Sequence, residues 1–382
     1  MKSKSLKFFL LIFSIKFILA SLVSSYYLFY SKGDLNSYLF DLQVISNELG
    51  WSFNKTFEFY INNGLLNSKL IYGNDFRALT FEKVLYPFYR LSFKSIWILN
   101  AIIALSQSYL FTRIKFGRKI NRYIYFVLLS MFFVPGLAFW TSGVLKESVY
   151  LILILYIIWV TYNKQKFVFI SFSILAAYIA FLIKPYNSVF LCGFLFVFFL
   201  FGTSYNLVLK LVLTGMLIIG SIFILPSLNP NFSFDRVSAV IEENSSIYLS
   251  QCNDDNCIPI DTEQSVLASK NILISFFYGL YGPISFLSEN IFIKVSSINS
   301  LMFLFISLAT IYLIIKQKTY NFNVAITITY IIFVSILTSL TTLNYGTLMR
   351  YSIYYSSFVW GGFFLFFEQE MWSGRNKNHR LW

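Results

Sequence analysis

Apolar stretches close to 20 residues long recur along this chain, and that is the length an α-helix needs to cross a bilayer. They fall at roughly 8–30, 95–112, 123–140, 148–162, 167–183, 189–202, 207–228, 298–315, 324–340 and 352–367. The expected fold class is therefore all-α, a polytopic transmembrane helical bundle of about 10 spans. Only 12% of residues are charged, against about 25% in soluble domains. The whole chain, 1–382, is expected to form a single integral membrane domain. Two polar stretches interrupt the pattern, 31–94 and 229–297, and are expected to be extracytoplasmic loops containing short interfacial helices.

Charge placement orients the bundle. Lys2, Lys4 and Lys7 precede the first run, and Arg113, Lys115, Arg118, Lys119 and Arg122 follow the second. Lys164, Lys166, Lys316, Lys318, Arg375, Lys377 and Arg380 close later runs on the same side. Basic residues flanking spans mark the cytoplasmic face, so both termini are expected inside. The first run continues to Tyr30 without a small-residue cleavage site, which argues against a cleavable signal peptide. The stretch 272–287 carries Gly279, Gly282 and Pro283. It is expected to form a re-entrant or interfacial hairpin, with a full span as the rival; a span would invert the later loops against the charge bias. Abundant Phe, Ile, Tyr, Asn and Lys suggest an AT-rich bacterial genome, hence a multi-pass protein of the bacterial cytoplasmic (inner) membrane.

The net charge of +13 does not point to nucleic acid, because the excess sits in short loops between apolar runs. His379 is the single histidine and lies in the basic tail, which disfavours chemistry that needs an imidazole base. Cys252 and Cys257 flank a polar NDDN segment. In an extracytoplasmic loop they are candidates for a disulfide, and two sulfurs without a nearby histidine make a poor zinc set. No metal or cofactor is expected.

Six charged residues lie near span ends on the outer side: Asp34, Lys146, Glu147, Lys184, Glu289 and Arg350. Local explanations exist: Asp34 as a turn or cap, Lys146–Glu147 as a solvated loop pair, Lys184 as a snorkelling anchor, Arg350 as a surface charge. Their shared side nevertheless suggests a polar cavity. Lys and Arg there suit the phosphate of a lipid carrier, a neighbouring carboxylate suits a general base for a sugar hydroxyl, and Trp51, Tyr38, Trp140 and Tyr351 suit stacking on sugar rings.

Four motifs carry a resemblance. GDLNSY (33–38) resembles the acidic motif in the first external loop of the GT-C glycosyltransferases, multi-spanning enzymes that use polyprenyl-phosphate-linked sugars. FWTSGVLKES (139–148) is similar to a segment of bacterial membrane proteins that build exopolysaccharide and O-antigen, transferases and polymerases among them. NYGTLMRYSIYY (344–355) is similar to a late Arg-Tyr segment in such proteins, and YGPISF (281–286) to a degenerate form of their Pro-aromatic segment. The acidic motif has Gly33 before Asp34 where the family often has a second acid, the next here being Asp41.

The resemblance implies Asp34 as base or acceptor-orienting carboxylate, and Glu147 orienting Lys146 or the acceptor. It implies Lys146, Lys184 and Arg350 on the donor phosphate, with Tyr38 and Tyr351 beside the substrate. The partners it implies are a polyprenyl-phosphate-linked sugar, a glycan acceptor and the lipid bilayer, with no nucleic acid. The expected function is a membrane glycosyltransferase or polysaccharide polymerase of the cell envelope. A lipid-linked oligosaccharide flippase is the alternative, although no internal repeat of the kind transporters carry is visible. A non-catalytic assembly subunit is the third.

Overall fold

The computed structural model describes residues 3–30, 33–62, 66–117, 120–163, 167–249, 257–258, 267–282, 291–319 and 322–373. Among these, seventeen α-helices account for nearly everything, and one isolated antiparallel bridge, Cys257 with Asn344, is the extended pairing. Four helices are long and apolar enough to cross a membrane, covering Ser3–Phe29, Leu207–Leu228, Ser296–Gln317 and Phe322–Thr341. A fifth arises if Phe76–Leu91 and Ile96–Lys115, which meet at 109°, are one broken span. The chain divides into two compact units, Met1–Val189 and Phe190–Trp382.

The first unit begins with α1 (Ser3–Phe29), α2 (Asp34–Leu49), α3 (Phe53–Ile61), α4 (Phe76–Leu91) and α5 (Ile96–Lys115). It continues with α6 (Arg122–Phe133), α7 (Pro135–Trp140), α8 (Lys146–Asn163), α9 (Phe167–Ile183) and the start of α10 (Pro185–Phe201). The hydrophilic segment 31–94 is thus helical, and its helices are amphipathic. On α2 the buried apolar residues are Leu35, Tyr38, Leu42, Ile45 and Leu49, a one-face helical spacing. That stripe packs on α4, which buries Ala78, Leu79, Phe81, Leu85, Tyr86 and Tyr89. α4 also carries Arg77, Glu82, Lys83 and Arg90, so α5 is the apolar limb of the bent pair. Two acids lie inside the buried stripes, Asp41 and Glu82, and both are fully enclosed; Lys83 of α4 is buried as well.

The apolar run 123–140 is not one helix. It divides into α6 and α7 at Val134–Pro135, because proline has no N–H to continue the ladder and its ring crowds the carbonyl four residues back. The loose carbonyls meet a lysine from another helix. Lys16 of α1 is wholly buried, and its ammonium donates to Met131 O at 3.2 Å, Ala138 O at 3.3 Å, Thr141 O at 3.4 Å and Thr141 Oγ1 at 2.7 Å. Gln107 of α5 adds donors to Thr141 O at 2.9 Å and Ser148 O at 3.0 Å. These bonds hold the turn 141–145, which places Lys146 and Glu147 at the head of α8.

Gly143 sits in this turn at φ +76°, and a Cβ there would stand 3.4 Å from Ala20 O and from Val23 Cγ1. A side chain at that φ is strained by about 1–2 kcal/mol. Gly143→Ala is expected to lower stability by about that amount, read as a lower midpoint of thermal unfolding in detergent; an unchanged midpoint counts against the turn as described.

The second unit contains the rest of α10, α11 (Leu207–Leu228), α12 (Phe234–Leu249), α13 (Ser269–Tyr281), α14 (Ile291–Gln317), α15 (Phe322–Thr341), α16 (Tyr345–Tyr351) and α17 (Ile353–Ser373). No residue of α11 is buried, although it bears Val208, Ile218, Phe223 and Ile224 exposed. An apolar helix that exposes such side chains all round is matched to lipid rather than water. Helix packing here runs through small polar residues, as between membrane helices. Ser339 Oγ donates to Ser275 O at 2.6 Å, Ser245 Oγ to Leu340 O at 2.6 Å, and the Tyr355 hydroxyl to Gly279 O.

Gly279 does not interrupt its helix as the sequence suggests. α13 runs through it to Tyr281, because a Cβ at 279 would come within 2.6 Å of Ser335 O, so glycine serves close approach to α15. α13 is 13 residues long, about 20 Å of helix against about 30 Å of hydrocarbon. Pro283 and Glu289 lie outside the described residues.

Candidate functional site

Asp75 joins the heads of two helices. Its Oδ1 caps α4 by accepting from Arg77 N at 2.9 Å and Ala78 N at 3.3 Å, the ordinary role of aspartate at an N-cap. Its Oδ2 lies 3.9 Å from Lys146 Nζ at the head of α8. Lys146 is 13% exposed, and its ammonium stands 5.4 Å from the ring centre of Tyr38 and 5.9 Å from that of Tyr72. Cations are favoured over aromatic faces and disfavoured at helix N-termini, so the carboxylate and the two rings offset the unfavourable helix end.

Asp34 enters through Tyr72. It is the first residue of α2, behind Gly33 as N-cap, and its Oδ1 accepts from the Tyr72 hydroxyl at 3.2 Å. Tyr38 is buried, with ring centres 5.1 Å from Tyr72 and 4.8 Å from Phe81. Asp34, Tyr72, Asp75 and Lys146 are all partly exposed. Three remote stretches of sequence therefore contribute to one partly exposed patch that holds a cation and two carboxylates, linked through Tyr72.

Behind this patch lie Asp41 and Glu82. Asp41 Oδ1 accepts from Ile71 N at 2.8 Å and Oδ2 from Tyr72 N at 2.9 Å, which fixes the short connection that carries Tyr72. Glu82 meets Asp41 across the α2–α4 interface. Its carboxyl is pushed up to about 9, first by burial and then by the negative charge of Asp41, with Lys146 opposing.

Glu147 and Lys184 form a separate, enclosed pair. Lys184 Nζ donates to Glu147 Oε1 at 2.6 Å, with the side chains 6% and 1% exposed. Lys184 closes α9 and Glu147 lies in the first turn of α8, so the pair ties α9 to α8 beside the turn 141–145. Glu147 is in favourable register with the α8 dipole.

No family model matches the chain, and no curated protein or solved structure matches it either. The chemistry of the patch therefore rests on its own residues. Of the residues expected from sequence, Asp34, Tyr38 and Lys146 come together in the first unit, with the Glu147–Lys184 pair adjacent in sequence at α8. Arg350 and Tyr351 belong to α16 in the second unit. Arg350 is buried, and Asn344 caps its helix by accepting from Gly346 N at 2.9 Å. Cys257 lies beside this cap: Ile258 N donates to Leu343 O at 2.9 Å, and Ile258 packs with Leu343, Tyr345 and Leu348. Cys257 is disulfide-bonded and Cys192 is a free thiol; Cys252 lies outside the described residues. Among the described residues no group of three His, Cys, Asp or Glu could hold a metal ion.

Sequence reasoning missed Asp41, Tyr72, Asp75, Glu82 and the lysine cage at Lys16. Two of these had a signal. Asp41 falls between Tyr38 and Leu42, and Glu82 between Phe81 and Leu85, each on the buried stripe of an amphipathic helix. An acid in such a stripe requires a partner or a proton. Tyr72 and Asp75 lie in a connection whose path only the packing of α2 on α4 defines.

Proposed function

We propose that the protein is a membrane glycosyltransferase or polysaccharide polymerase. On this reading it takes sugar from a polyprenyl-phosphate-linked donor at the outer face of a bacterial cytoplasmic membrane. About ten crossings with both termini inside complete the picture, the shorter apolar helices supplementing the four long ones. The observation that carries the reading is the convergence of Asp34, Tyr72, Asp75 and Lys146 from three distant segments onto one partly exposed patch. The resemblance of GDLNSY and FWTSGVLKES to segments of such enzymes supports it, because the two motifs supply the carboxylate and the cation of that patch.

In the proposed reaction the acceptor hydroxyl gives its proton to the Asp34 carboxylate as its oxygen attacks the anomeric carbon of the donor. The bond from that carbon to the phosphate oxygen breaks, and the carrier phosphate leaves with the electron pair. The Lys146 ammonium, at the positive end of α8, offsets the charge that develops on the leaving phosphate. Tyr72 orients the base through its bond to Asp34. The roles of Arg350 and Tyr351 on donor phosphate and substrate stand on the sequence resemblance alone.

The test is the glycan made by cells carrying Asp34→Asn, Lys146→Ala or Arg350→Ala at wild-type protein levels. Loss of a positioned base or of a charge-stabilising cation is expected to slow transfer by about 10²–10⁴-fold, seen as a lost or shortened surface glycan. An unchanged glycan profile in the Asp34 and Lys146 variants overturns the proposal. Translocation of a lipid-linked glycan by vesicles containing the protein, without bond formation, replaces it with a flippase.

A further inference from the structure

Glu82 is a buried acid that the reaction above leaves unused. It is fully enclosed between α2 and α4, and neither of its oxygens meets an N–H or O–H donor. The polar group it reaches is the Asp41 carboxyl. Two carboxylates cannot hydrogen-bond to each other, whereas one proton between them makes a strong bond. Asp41 already accepts one backbone N–H on each oxygen, from Ile71 and Tyr72, so the proton belongs on Glu82 and Asp41 is its acceptor.

We propose that Glu82 is a positioning residue. As a neutral carboxylic acid it clamps Asp41, and Asp41 in turn holds the 71–72 backbone so that Tyr72 meets Asp34 and flanks Lys146. The inference deepens the function proposed above and rests on it only for the use to which the patch is put; the clamp itself is a property of the fold. Ionisation of Glu82 would set two enclosed carboxylates against each other. The charges acting on Glu82 are Asp41 on α2, Asp75 at the head of α4 and Lys146 at the head of α8. Helices α5 and α9, which also pack on α4, contribute no charge to it.

The sign of the pH dependence follows from proton binding. The ordinary value for this acid is 4.5, and in the fold it rises to about 9. Between those values the folded protein binds the proton that the unfolded chain releases. Its contribution to stability is therefore full below about 4.5 and is lost as pH rises through about 9.

The experiment uses the full-length protein in nanodiscs, with Glu82→Gln and Glu82→Ala. Three readouts need no substrate: infrared difference spectra across pH, the thermal midpoint across pH, and hydrogen exchange of the peptide covering 71–72, corrected for intrinsic pH dependence. The wild type is expected to show a buried protonated carboxyl that titrates on the alkaline side and is absent from both variants. Gln keeps a neutral donor, so Glu82→Gln is expected to preserve 71–72 protection at all pH and to remove the fall in midpoint between about pH 5 and 9. Glu82→Ala is expected to speed 71–72 exchange by about tenfold or more.

A wild type without the carboxyl signal, or 71–72 protection unchanged in Glu82→Ala while that variant stays folded, overturns the clamp. A carboxyl signal and protection pattern as expected, in a protein whose Asp34 and Lys146 variants make normal glycan, leaves the clamp standing and removes the transferase.

Discussion

Lys184→Met is expected to destabilise the protein by about 3–5 kcal/mol, the usual cost of stripping one partner from an enclosed ion pair. Glu147→Leu is expected to cost a similar amount. The geometry leaves little room for solvent to compensate, since the pair is joined at 2.6 Å with side chains 6% and 1% exposed. Removing Lys184 leaves an enclosed carboxylate without the ammonium that meets it at 2.6 Å. Desolvation of the two charges offsets part of the pair's Coulomb gain in the intact protein, so the double variant Glu147→Leu with Lys184→Met should recover most of the loss. A double-mutant cycle on thermal or denaturant unfolding in detergent measures this directly. Single variants within about 0.5 kcal/mol of wild type, the range of ordinary surface changes, would falsify the enclosed pair. The cycle also bears on the patch, because the pair anchors the same first turn of α8 that presents Lys146.

Lys16→Met is expected to cost about 2–4 kcal/mol, and its effect should reach beyond α1. Methionine fills a comparable volume but donates nothing. The change takes the ammonium from Met131 O, the carbonyl freed by Pro135, and from Ala138 O, and it takes a donor from Thr141. Hydrogen bonds from a charged donor contribute about 1.5–3 kcal/mol, and Met131 O and Ala138 O keep the Thr141 and Ser142 hydroxyls as side-chain donors. Several of these acceptors share one ammonium, so their losses do not add. Hydrogen exchange across 139–148 should rise in Lys16→Met while that of α9 stays unchanged; equal exchange in both proteins would remove Lys16 as the support of the turn. Lys16→Arg is no rescue, because a planar fork cannot match acceptors arranged around a point charge.

The long apolar runs made helices legible, and the structure is helical accordingly. The break at Val134–Pro135 was legible as a proline but not as a binding place for Lys16, since the partner lies more than a hundred residues away in the chain. GDLNSY and FWTSGVLKES stood out as motifs, yet neither contains the residues that join them, Tyr72 and Asp75. Those occupy an unremarkable connection, and no local periodicity marks a residue whose role is set by which helix it ends up beside. Glu82 is the intermediate case. Its place in the stripe Ala78, Phe81, Leu85 and Tyr89 could be seen, and it signals burial, but the identity of the group across from it could not.

Local chemistry along the chain determined which segments are helical, which are apolar enough for a bilayer and where glycine or proline must bend the path, because each depends on side chains within a few residues of one another. Only the tertiary structure decided that Asp75 bridges the heads of α4 and α8, that Lys184 neutralises Glu147, and that Glu82 faces Asp41. The last two pairings come from α9 packing on α8 and α2 on α4, and the energy that selects them is the cost of enclosing a charge without a partner, which exists only once the helices have come together.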